Sequence, residues 1–164
     1  MKMRLINMLM ITGLVFVSCK RETAYIYEVD PVKVKKDQTG KNVPKSTVEF
    51  ISIAYSDLTG KTITQTMLSQ LSLIYLSFGD KRLVEDMLIK NLLNAPEVKE
   101  RMESNQQMRG DIPAFVRALY LKLFNREPNE LELWTTGQKI TSNTALEPVM
   151  VYYAMMTSDE YRYY

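Results

Sequence analysis

The chain has no histidine, a single cysteine, and almost no excess of either charge, with 21 Lys and Arg against 19 Asp and Glu in 164 residues. Each shortage removes a class of function. Without histidine, the usual nucleophile–base pairs of hydrolases cannot be assembled, and most zinc sites lose a ligand. With one cysteine there can be no internal disulfide, so a hydrophobic core has to stabilise the fold. A nucleic-acid partner would require a basic stripe, and none is present outside one lysine-bearing segment near the N-terminus. Carboxylate chemistry needs only two acids at a fixed separation. Asp57, Glu85 and Asp86 qualify by residue type alone, and solvated helix faces account for them more simply. No enzyme, cofactor, metal or nucleic-acid partner is expected.

What is present begins with a three-zone N-terminus. Met1 to Arg4 is basic, Leu5 to Val17 is mostly apolar, and the small Ser18 precedes the lone Cys19. Those zones are the parts of a secretory signal, and the apolar run is shorter than the ~20 residues of a membrane span. A buried N-terminal helix or an uncleaved anchor is the competing reading. Phe16-Val17-Ser18-Cys19 resembles the lipobox of bacterial lipoproteins, with Phe16 where leucine is usual. The resemblance implies cleavage before Cys19, a diacylglycerol thioether on its sulfur and an acylated amine, which together anchor a chain stably. Removal of residues 1–18 takes away Lys2 and Arg4 and no acid, so the mature side chains are neutral overall.

The segment from Lys20 to Lys45 contains Pro31, Gly40 and Pro44, and lysines at 33, 35, 36, 41 and 45. It reads as an extended tether, although Tyr25, Tyr27 and Val29, and then Val32 and Val34, alternate as strand residues do. Beyond it the punctuation is helical. Ser46 to Glu49 is a capping box for a helix ending at Gly60. Thr64 caps Gln65 to Phe78, stopped at Gly79, and Asp80 caps Lys81 to Leu93. A short turn follows Pro96 and runs to about Met102. Asp111 precedes a helix with Pro113 in its first turn, ending at Asn125. Asn129 to Glu132 and Thr144 to Glu147 are two further capping boxes, and Ser158 caps a final turn.

The two halves match at an offset of 65 residues. Phe50 falls on Phe115, Ile51 on Val116, Tyr55 on Tyr120, Leu58 on Leu123, Gly60 on Asn125, Lys61 on Arg126 and Leu68 on Leu133. Leu93 to Val98 parallels Met156 to Tyr161. Agreement in the helix terminator and the base after it points to duplication. The aromatic and leucine positions form core-facing stripes. Each base is expected to pair with the acid of its own half, Lys61 with Glu97 and Arg126 with Glu160, within ~6 Å. The predicted fold is all-α. Its parts are a signal peptide (1–18), a lipid-anchored tether (19–45) and two weakly similar three-helix repeats (46–104 and 105–164) forming a compact bundle.

Phe115, Val116, Tyr120, Leu123, Arg126, Pro128, Asn129, Leu131, Trp134, Ser158, Glu160 and Tyr161 resemble the motif of a small helical domain of secreted bacterial proteins. That domain has no assigned function in most members and is similar to the phycobilisome linker domain. Asn125 stands where the family has glycine, a tolerable exchange in a left-handed position. Related helix–turns occur in proteins with c-type haem, but this chain has no CxxCH. The resemblance implies a compact module for scaffolding or surface assembly, without catalytic residues.

Together these features predict a lipid-anchored, non-catalytic interaction module holding another envelope protein. The late aromatics Tyr152, Tyr153, Tyr161, Tyr163 and Tyr164 would supply contact area. The alternative is a carbohydrate- or peptidoglycan-binding lipoprotein, with Trp134 or the tyrosines stacking on sugars. Packing of Trp134 inside its own repeat is the simpler expectation. Lys20 is not the aspartate that resembles an inner-membrane retention signal, nor does an acidic run follow the cysteine. The outer membrane, on its periplasmic face, is therefore expected.

Overall fold

Residues 43–163 are described by a computed structural model. The signal-like segment, Cys19, all but the last three residues of the predicted tether, and Tyr164 lie outside the described residues. The described part is all-helical, with no strand. Its helices are α1 Thr47–Thr59, α2 Gln65–Ser77, α3 Lys81–Asn94, α4 Pro96–Lys99, α5 Asn105–Gly110, α6 Ile112–Phe124, α7 Glu130–Ser142, α8 Pro148–Met156 and α9 Asp159–Arg162.

Local chemistry explains most of the helix ends. Ser46 and Glu49 form the reciprocal cap of α1, and Asn129 and Glu132 form that of α7. Asp111 accepts from the Ala114 amide and Pro113 sits in the first turn of α6. Gly60 and Asn125 both take left-handed backbone, at φ 67° and 55°, and close α1 and α6. Gly60 has a second constraint. A Cβ there would lie 2.6 Å from the Arg101 guanidinium.

Three local expectations need correction. Helix α2 ends at Ser77, and Gly79 has no positive φ; Phe78 is extended, and the Lys81 ammonium bonds the carbonyls of Tyr75 and Phe78 at 2.7 and 2.9 Å. A lysine, not a glycine, finishes that helix. The Thr144–Glu147 box does not form, because α8 starts at Pro148 with Glu147 as an N-cap that makes no side-chain bond. A start at Ala145 would put Pro148 where a helical donor is needed, whereas at the first position its missing N–H costs little. Residues 143–146 instead curl around Arg109, whose guanidinium bonds the carbonyls of Ile140, Asn143, Thr144 and Leu146 at 2.9–3.2 Å. Arg109 belongs to α5, a helix absent from the sequence reading and capped by the Ser104–Gln107 box.

The halves share one core. Phe50, Ile51, Ala54, Leu58 and Ile89 from the first half pack in the same cluster as Val116, Leu119, Met156 and Tyr161 from the second. Helices α1–α4 pack on one another, α6 packs with α5, α7, α8 and α9, and α3 meets α8 across the seam. The last helix reaches furthest. Tyr161 is 0% exposed, its ring meets Phe50 edge-on at 5.9 Å, and its hydroxyl donates to Asp57 at 2.7 Å. Residues 46–104 and 105–163 are therefore halves of one body. The tether boundary also shifts. Pro44 pairs with Tyr163 as an isolated bridge, and the Lys45 amide donates to the Arg162 carbonyl at 2.8 Å.

Candidate functional site

The motif residues form two bracing centres with unequal strength. In the second half, Arg126 donates to Glu160 through Nε (2.6 Å) and Nη2 (2.8 Å), and to both oxygens of Glu132 at 2.7 and 2.8 Å. Its guanidinium lies over the Tyr120 ring at 5.1 Å, and Tyr120 meets Phe124 edge-on. Glu132, besides capping α7, is held below the usual carboxylate range chiefly by Arg126. Pro128 is buried in the turn between. In the first half, Lys61 meets Glu97 at 2.8 Å, as expected, but both side chains are largely exposed. Tyr55 is only half-buried, unlike its counterpart Tyr120. These residues hold helices together.

The acids chosen by residue type are engaged within the fold. Asp57 is half-buried, while Asp86 keeps a partly solvated position beside the exposed Lys90. Glu85 is buried, and accepts from the Tyr75 hydroxyl at 2.8 Å and from Arg162. That burial, with Glu85 beside it, pushes the Tyr75 phenol up to about 12. Asp86 accepts from Tyr153 and Lys90. Asp57, under Tyr161, lines a cleft of about 250 Å³ with Ser56, Gly60, Arg101, Lys122 and Tyr152. Tyr152 is buried and donates to Glu103 at 3.1 Å. Of the late aromatics, then, Tyr152 and Tyr161 are core and hydrogen-bonding residues, not contact surface. Among the described residues no group of three His, Cys, Asp or Glu side chains is placed to hold a metal, and no helix is long and apolar enough to cross a membrane.

Trp134 departs furthest from expectation. It is 64% exposed on α7, one turn from the equally bare Leu131. Helix α7 turns other side chains inward: Ile140 is fully buried, and Leu133 packs against the core. Trp134, about 100° round the helix from Leu133, lies outside that inward face.

The larger exposed surface is on α2 and α3. Tyr75 is the only fully buried residue of α2, with Leu68 and Leu71 packed beside it. Met67, Leu71, Ile74 and Phe78 recur at i, i+4, i+7 and i+11, a single stripe. With Met87 and Leu88 of α3, the last three of them line a groove of about 90 Å³. Leu73 and Leu76 carry the apolar surface over the outer side of α2 at 68% and 66% exposure, and Leu83 extends it along α3. The reading of the sequence missed this face, yet a signal was available. No residue from Thr62 to Gly79 is charged.

No family model matches the chain, and neither the curated proteins nor the solved structures contain a match to it. The resemblance to the linker-like domain therefore rests on the motif residues alone.

Two substitution experiments separate the bracing centres. Arg126→Ala leaves Glu132 and Glu160 facing each other, and should cost about 1–2 kcal/mol after allowance for partial exposure. Arg126→Lys should recover only part of that, because an ammonium cannot fork to two carboxylates. Lys61→Ala should leave the melting temperature unchanged. Denaturant unfolding of the three variants decides this, and equal losses at 61 and 126 would contradict it.

Asp57 supplies a pH test. Burial raises its pKa above 3.8, against the opposing effects of the Tyr161 hydrogen bond and of Lys45 and Lys122. The folded state therefore favours the protonated acid. Stability from this group is complete below the unfolded value and is lost as pH rises through the folded one. Asp57→Asn keeps an acceptor for Tyr161 and should melt higher than wild type near pH 7. The advantage should vanish below pH ~3.8; a pH-independent difference would remove this account.

Proposed function

We propose that this chain is a lipid-anchored envelope protein whose helical body is a non-catalytic interaction module. The observation that carries the reading is the uncovered apolar face of α2 and α3. An apolar surface of that extent on a stable body is a binding surface by default. The lipobox-like segment ending at Cys19 supports the anchor, and Lys33, Lys35, Lys36 and Lys41 can rest near anionic headgroups. Lys20 after the cysteine favours the outer membrane, on the periplasmic side. Duplication of a helical unit, supported by the paired terminators Gly60 and Asn125 and the paired ion pairs, accounts for the two halves of the body.

Feeding cells an alkynyl fatty acid should label the chain, and Cys19→Ala should abolish the label. Affinity capture from detergent-solubilised membranes should recover a protein in stoichiometric amount, an untagged second copy included. Phe78→Asp should release it. Recovery of none would sink the interaction reading.

A second reading, carbohydrate or peptidoglycan binding, is favoured by the exposure of Trp134. A bare indole offers a flat apolar face to a sugar ring. Trp134→Ala is a surface change and should stay within about 0.5 kcal/mol of wild-type stability. Co-sedimentation with purified sacculi that disappears in this variant is the expected result of that reading, and unaltered sedimentation would dismiss it.

A further inference from the structure

We propose that the α2–α3 face is the contact between two copies of this chain, paired about a two-fold axis. The inference rests on the interaction-module reading and names its occupant. Helix α2 packs Leu68, Leu71 and Tyr75 against the core, lines the groove with Leu71, Ile74 and Phe78 at its end, and leaves Met67, Leu73 and Leu76 exposed. The open side of α2 thus sets bare leucines among uncharged polar side chains.

Size and charge choose the occupant. Met67, Leu73, Ile74, Leu76, Phe78, Leu83 and Met87 are 42–68% exposed. Together they present several hundred Å², the scale of the ~800 Å² that each partner contributes to a standard interface. In a two-fold contact residue i meets j and j meets i, and side chains near the axis meet their own copy, so a charge near the axis would face its like. Thr62 to Gly79 has none. The exposed polar residues along α2 are Gln65, Thr66, Ser69, Gln70 and Ser77, with Ser72 half-buried; their hydroxyls and amides both donate and accept and so complement themselves.

The same features disfavour other occupants. A lipid-surface helix has lysine or arginine on its polar face, and the nearest such residues are engaged, Lys81 with the α2 carbonyls and Arg82 with Asp159 at 3.3 Å. A charged partner would find no complementary potential to steer it. Anchorage of both copies in one membrane plane would raise their effective concentration.

The test uses the mature, lipidated full chain purified in detergent, with copies per particle read by native mass spectrometry. Wild type should carry two chains. Leu73→Glu/Leu76→Glu should carry one, with self-association weakened at least about tenfold and helix content and melting temperature retained. Leu131→Glu, on α7 and equally exposed, should still carry two. One chain per wild-type particle at micromolar concentration overturns the proposal, as does a double variant that remains paired. It is equally overturned if the double variant instead loses a different protein, or loses binding to neutral phosphatidylcholine vesicles. Fatty-acid labelling of the same preparation reports on the anchor separately, so loss of that reading and loss of this one are distinguishable.

Discussion

Tyr161 is the contact through which the two halves become one body. Its ring occupies space that α1 would otherwise leave open against Phe50, its hydroxyl reaches Asp57, and the Lys45 ammonium sits over the ring at 4.3 Å while bonding its carbonyl. Full burial of such a ring is worth about 1.5–3 kcal/mol. The neighbours in sequence multiply that effect. Glu160 is held by Arg126 at the α6–α7 turn, and Arg162 by Glu85 of α3. Successive residues of a helix point about 100° apart, so one four-residue helix fastens three parts of the molecule. Ser158, accepting from the Tyr161 amide, sets the orientation of that helix.

A body closed so thoroughly at one seam makes the open α2–α3 face conspicuous. The acids on the two sides have parallel histories. Asp57, Glu85 and Asp86 look like surface acids in the sequence, and all three are used by tyrosine or arginine from the C-terminal segment. Polar groups at the seam are thus matched in pairs, whereas α2 offers only neutral side chains and large apolar surface. The functional reading follows from that contrast. The proposed interaction surface is the apolar area of α2 and α3 that these seam contacts leave exposed.

Short-range features were legible before the fold. Ser46, Thr64, Asp80, Asp111, Asn129 and Ser158 cap helices where the sequence places them. A cap bonds an amide two or three residues away and needs nothing distant. Gly60 and Asn125 as left-handed terminators, and the pairings of Lys61 with Glu97 and Arg126 with Glu160, were also readable. Errors arose where a side chain took a role that its residue type does not announce. Lys81 took the carbonyls assigned to a glycine stop, Arg109 organised a loop read as a helix start, and Trp134 turned to solvent. Its exposure could not be read from type, because a tryptophan on an amphipathic helix suits a core or a binding face equally.

The sequence by itself therefore determined that the described residues are helical, where most helices begin and, through the matching of the halves, that Lys61 meets Glu97 and Arg126 meets Glu160. These depend on backbone hydrogen bonding and helical spacing, which act over a few residues or repeat with a visible period. Only the tertiary structure decided which apolar residues are inside. Burial depends on what packs against a face, and α2 and α7 carry more apolar side chains than their neighbours cover. It also decided that Asp57 and Glu85 serve the seam, since their partners Tyr161 and Arg162 lie 104 and 77 residues away. No local pattern encodes a contact at that separation.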